Sequence, residues 1–191
     1  MSSLAKRSAD MLTKHYFRAL GESCRRHDVL VQHETEIVDA ARSRAERMLT
    51  SDVDEVGFTG NLHRVQSALA ISAYKALLPR LNGNQVEAVE IMRRIQGDDQ
   101  TAKGMITALA KGMMFLSWDK YATAVRQLKR MSFGYVDGYE TELVSNREDT
   151  ETTLRVHKCY FREQFEAAGV PELTRASCCS LDTVWVSRAS R

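Results

Sequence analysis

Thr152-Thr-Leu-Arg-Val-His-Lys-Cys159, continuing as Tyr160-Phe-Arg-Glu-Gln-Phe-Glu-Ala-Ala-Gly169 and then Val170-Pro171, is where the chain changes period and its fold class is decided. Across 152–159, Thr, Leu and Val alternate with polar residues, the pattern of a strand. Period two puts Leu154 and Val156 on one face and Thr153, Arg155, His157 and Cys159 on the other. A guanidinium, an imidazole and a thiol in one row suit a pocket wall better than a core. Phe161 and Phe165 lie four apart, so a short helix with one buried side is expected next. Gly169 can end that helix, and Pro171 prevents its continuation. The reversal that follows is expected to bring Cys179 and Asp182 back beside Cys159.

Working outward, Tyr135 to Val144 also alternates, and Asn146-Arg-Glu-Asp-Thr150 is a hairpin-like turn into the strand at 152–159. Thr183-Val-Trp-Val-Ser187 would add a third strand. Everything before this is helical in pattern. Apolar residues at spacings of three and four predict helices over about 3–20 and 29–49. A turn is expected at Gly21 and a loop over 51–60. Asn61 is expected to cap a third, strongly apolar and central helix, ended or kinked by Pro79. Asn84 and Glu87 form a capping-box variant opening a fourth helix over 85–96, and a fifth helical region spans roughly 101–131, broken near Gly112 or Ser117. Helices first and strands last make the fold α+β. We expect about five N-terminal helices, then a small antiparallel sheet with a short C-terminal helix. All of it belongs to a single domain, 1–191: a helical part (1–131) and a sheet part (132–191) carrying the Cys/Asp motif.

Net charge is +2, from 27 basic and 25 acidic residues, too balanced to advertise a nucleic-acid or membrane partner. No apolar run has membrane-span length, and Met1-Ser-Ser-Leu-Ala-Lys-Arg7 has no hydrophobic signal core, so a cytoplasmic address is expected. Cys24, Cys159, Cys178 and Cys179 are too few for a disulfide framework, and reduced thiols are expected. Cys24 reads as a structural or incidental thiol in a polar turn. The chain lacks a phosphate-binding loop, a dinucleotide-binding glycine turn, a His-Glu-x-x-His helix and a Gly-x-Ser-x-Gly elbow.

The reactive side chains that remain are Cys159, Cys179 and Asp182, with His157 beside them. Either cysteine can attack an electrophilic carbon, with His157 or Asp182 as base or orienting group. Against this stands the plain reading that reduced thiols fill cores. No metal or other cofactor is expected, although His157, Cys159, Cys179 and Asp182 are acceptable zinc ligands in type; their spacing matches no established finger. Arg155 is suited to clamp a substrate carboxylate bidentately. His63 on the third helix, like His15 on the first, can reach a shared cavity; Tyr74 is a further substrate-binding candidate, its plain reading being a core residue with its hydroxyl hydrogen-bonded.

The run from Cys159-Tyr-Phe-Arg to Gly169-Val-Pro-Glu-Leu-Thr174, then Cys179-Ser-Leu-Asp182, resembles the C-terminal signature of the L-2-amino-thiazoline-4-carboxylic acid hydrolase family. Leu69-Ala-Ile-Ser-Ala-Tyr-Lys-Ala-Leu77 with Gln85-Val-Glu-Ala-Val89 is similar, more weakly, to that family's upstream helices. The resemblance implies a small-molecule enzyme that hydrolytically opens a cyclic amidine-like carboxylate, with Cys159, Cys179 and Asp182 as the matching motif residues. The doubled Cys178-Cys179 departs from that pattern. An isomerase or lyase of a biosynthetic pathway on the same scaffold is the alternative. So is a non-catalytic protein that binds a small ligand or oligomerises through its apolar third helix. A homo-oligomer stays open in either case.

Overall fold

The computed structural model describes residues 3–50, 58–98, 119, 122–123, 126, 139–145 and 152–176. Within them the architecture is α+β, helices first and a two-stranded antiparallel sheet late. Four helices lead: α1 (Ser3–Arg25), α2 (Glu34–Thr50), α3 (Phe58–Leu77) and α4 (Gln85–Asp98). Helical backbone recurs at residues 122, 123 and 126, where Asp119 caps the turn by accepting the Ala122 N–H at 2.9 Å. The strands β1 (Glu140–Ser145) and β2 (Thr152–Lys158) follow, then a short helix α5 (Tyr160–Ala167).

The central element is α3. Val65, Leu69, Ile71, Ala73, Tyr74 and Leu77, the apolar positions of its repeat, are all buried. Around them pack Tyr16, Phe17 and Leu20 from α1, Ile37, Ala41 and Ala45 from α2, and Ala88, Ile91, Met92 and Ile95 from α4. Burying each side chain of Leu or Ile size contributes about 1.5–3 kcal/mol, so this cluster supplies most of the drive to fold. The apolar surface of α3 is therefore used inside the chain.

Several boundaries differ from the sequence expectation, each for a local reason. Gly21 does not break α1, which runs on to Arg25. Its missing side chain makes room for Glu34: a Cβ there would lie 2.8 Å from the Glu34 carboxylate, which pairs with Arg25. Cys24 is consequently in the core, fully buried, rather than in an exposed turn. A 3-10 turn, Val31–His33, precedes α2, so that helix begins later than expected. Helix α3 begins at Phe58, which leaves Asn61 inside it and not at its cap. Pro79 ends α3 by turning the chain into a 3-10 segment, Leu78–Leu81, and Asn82 closes it with φ 52°. The Asn84–Glu87 cap is as expected: the Glu87 N–H donates to Asn84 Oδ1 at 3.2 Å, and the Asn84 amide donates back to Glu87 at 3.1 Å. Met11, read as part of the apolar stripe of α1, is 58% exposed.

The turn after α5 follows from its sequence. Gly169 adopts φ 71°, the Val170 N–H donates to the Phe165 carbonyl at 2.8 Å, and the Gly169 N–H donates to Glu166 at 3.0 Å. This is a Schellman closure with its usual apolar contact, since Phe165 and Val170 are both buried. Leu173, two residues beyond Pro171, is buried as well. The expected third strand at 183–187 and most of the 101–131 region lie outside the described residues, as do Gly112 and Ser117. No helix among the described residues is long and apolar enough to cross a membrane.

Candidate functional site

Three separate parts of the chain meet at His63. Its imidazole lies 5.5 Å from the Tyr139 ring, 6.3 Å from the Tyr160 ring and 5.3 Å from the Phe161 ring, centroid to centroid. Tyr139 comes just before β1, Tyr160 and Phe161 open α5, and His63 sits in the early turns of α3. The edge-on and tilted ring arrangements are those favoured by aromatic quadrupoles. Phe161 stacks on toward Phe165 at 5.9 Å, and Phe165 is fully buried, so this aromatic group is continuous with the core. Burial depresses the basicity of His63, which keeps the imidazole neutral over a wider pH range.

Cys159 stands at the edge of that group. It links β2 to α5 as the N-cap residue, with an extended backbone (φ −129°, ψ 117°), and its thiol is half-buried and free of any disulfide. Its carbonyl accepts the Glu163 N–H at 3.1 Å, which starts the helix, and its side chain makes no capping bond. As the N-cap residue, Cys159 stands at the helix end whose first-turn N–H groups carry a partial positive charge that favours an anion. Arg162, one turn in, is held charged chiefly by Glu166, with Cys159 as a lesser contributor.

The strand row read from period two is broken just before the thiol. Thr141 pairs with Val156, and Glu140 with Lys158, so His157 is an extra residue in β2, a bulge. Thr153, Arg155 and His157 are exposed, whereas Cys159 beyond the bulge is half-buried. His157 pairs across the hairpin with Glu142 at 3.1 Å, both side chains more than half exposed. Arg155 and His157 therefore occupy the outer face of the hairpin, and the thiol departs from it. Val156, expected on the inner face, is 48% exposed.

Tyr74 is fully buried, and its hydroxyl donates to Glu172 at 2.5 Å. Burial first, then the hydrogen bond and charge of Glu172, push its ionisation well above the usual tyrosine range. The core reading of Tyr74 holds. Cys24 is the opposite of a reactive thiol: burial first, then Glu34, raises it to about 11, with Arg25 only partly offsetting them. Cys178, Cys179 and Asp182 lie outside the described residues. Among the described residues no three His, Cys, Asp or Glu side chains come together as metal ligands.

The sequence reading gave no site role to Tyr139, Tyr160, Phe161, Arg162 or Glu172, although Phe161 was read as a buried position of the short helix and the run 159–174 carried the resemblance. Glu172 was visible within the Pro-Glu-Leu turn, but nothing local connects it to Tyr74, 98 residues away. Compared with known proteins, the chain matches no family model, no curated protein and no solved structure.

Proposed function

We propose that this protein is a small-molecule hydrolase that opens a cyclic amidine-like carboxylate through a cysteine nucleophile, as its C-terminal motif implies. One observation carries the reading: the half-buried Cys159 is the N-cap of α5, next to the Tyr160 and Phe161 rings that pack on His63, whose basicity burial depresses. A core thiol needs neither neighbour. The Cys159 thiolate adds to the amidine carbon, and the pair of electrons released onto nitrogen takes a proton. Collapse re-forms the carbon–nitrogen double bond, breaks the ring carbon–sulfur bond, and leaves an isothiourea on Cys159 while the released ring thiolate takes a proton. Water then adds to the same carbon, the carbon–sulfur bond to Cys159 breaks, and a ring-opened carbamoyl product leaves; the net reactant is one water. His63 is the base best supported for the first proton and the acid that returns it, since a neutral imidazole can do both. Asp182 and Cys179 keep their motif roles as proton carrier and second thiol. Arg155 and His157, on the hairpin's outer face, take no part in this scheme.

The test is turnover of small cyclic amidine carboxylates, beginning with 2-amino-thiazoline-4-carboxylate, followed by release of the ring thiol. Cys159→Ser is expected to lower the rate at least about a thousandfold with the unfolding transition unchanged. Undiminished turnover in that variant, or a native Cys159 that resists every small alkylating reagent, overturns the cysteine mechanism.

A further inference from the structure

We infer that Tyr74 and Glu172 are a positioning pair for Cys159, acting through the placement of α5 along α3; the inference rests on the reading of Cys159 as the nucleophile. Helix α5 touches α3 at two places. At its N-terminal end, Tyr160 and Phe161 pack on His63. Beyond its C-terminal end, Glu172 accepts the Tyr74 hydroxyl. His63 and Tyr74 are eleven residues apart, roughly 16 Å along a helix, so the two contacts make α5 and its turn run parallel to α3. The second contact is polar in a place where apolar burial was already sufficient. Val170 and Leu173 flank Glu172 and are both buried, so the turn has its hydrophobic anchors without it.

Apolar contacts define position loosely, because side chains of similar volume substitute for one another at small cost. A hydrogen bond from a fully buried phenol to one oxygen of a half-buried carboxylate favours a single register, since sliding would leave the Tyr74 hydroxyl buried and unpaired. Fixing Glu172 fixes the Schellman turn, hence the axis of α5, hence the N-cap at Cys159 relative to His63. Tyr74 thus acts from behind the site and does not meet substrate with its hydroxyl.

The experiment reads the thiol, not turnover, so a protein that hydrolyses none of the trial substrates still decides it. In the full chain carrying Cys178→Ser and Cys179→Ser, only Cys159 and the buried Cys24 remain. Iodoacetamide labelling of Cys159 is followed by mass spectrometry from pH 6 to 10, with thermal unfolding in parallel. Tyr74→Phe, which keeps the ring in place, and Glu172→Ala are each expected to change the labelling rate by about threefold or more and to shift its pH midpoint. Glu172→Gln keeps an acceptor for the phenol and should stay with the parent. If Tyr74→Phe and Glu172→Ala lower the melting temperature and leave rate and midpoint unchanged, the pair is merely structural. If Glu172→Gln shifts the midpoint as far as Glu172→Ala, charge rather than register is at work, and the inference is wrong.

Discussion

The bundle of α1 to α4 and the segment from β1 to the turn after α5 hold together in different ways. In the bundle, the helices carry apolar residues at spacings of three and four, and most of these are buried around α3. In the second region the hairpin is half-exposed on both strands, and deep burial is confined to Phe165, Val170, Leu173 and Ala176. One region is over-determined by many equivalent contacts. The other is placed by a few contacts between residues distant in sequence, and it carries the accessible thiol. The difference matters because a site needs polar and reactive groups at an edge, which a continuously apolar repeat cannot offer.

The contrast breaks most visibly at Phe165. It is the main buried side chain of α5, so Phe165→Ala is expected to cost about 3–5 kcal/mol in urea-induced unfolding. A loss under about 1 kcal/mol would mean that α5 is not docked on the bundle at all. Cys24 sharpens the other side. Its thiol, fully buried, is raised from 9.0 to about 11 in the folded protein. The folded state then holds the proton more tightly than the unfolded one, so stability is intact below about pH 9 and falls as the pH climbs through about 11, by on the order of 2 kcal/mol. Tyr74 adds a loss of the same sign at still higher pH. Comparing Cys24→Ala with the parent isolates the thiol: the variant should lose the slope between those limits, and an unchanged slope would place Cys24 outside the core.

Much of the bundle was legible in the residues. The buried set of α3, the inner face of α2 and the Asn84 cap all follow from spacing that each segment carries in itself. Gly21 misled because its small size serves a tertiary contact with Glu34, which a local rule reads as a turn. In the second region the helix at Phe161 and Phe165, the Gly169 turn and the antiparallel pairing were legible for the same local reasons. The site was legible only in part. Alternation alone cannot reveal a bulge, so it assigned Cys159 to the face of His157. Nor does any pattern within α3 announce that His63 meets Tyr139 and Tyr160, since that meeting is made by topology. The anticipated return of Cys179 and Asp182 falls outside the described residues.

Smaller effects test the local rules. Asn84→Ala removes the acceptor of the Glu87 N–H and should cost about 1 kcal/mol, again by urea unfolding, with the thiol chemistry of Cys159 untouched. The smallest expected effect is also the most discriminating. His157 is the bulged residue, exposed and paired across the hairpin with an exposed Glu142. Such pairs are screened by water, so His157→Ala should change stability by less than about 0.5 kcal/mol. If the bulge separates Cys159 from the outer row, that variant leaves the alkylation rate of Cys159 as it was, whereas His63→Ala alters it. Equal effects from the two histidines would restore the unbroken row, and the thiol would then belong to the hairpin face rather than to the aromatic group around α3.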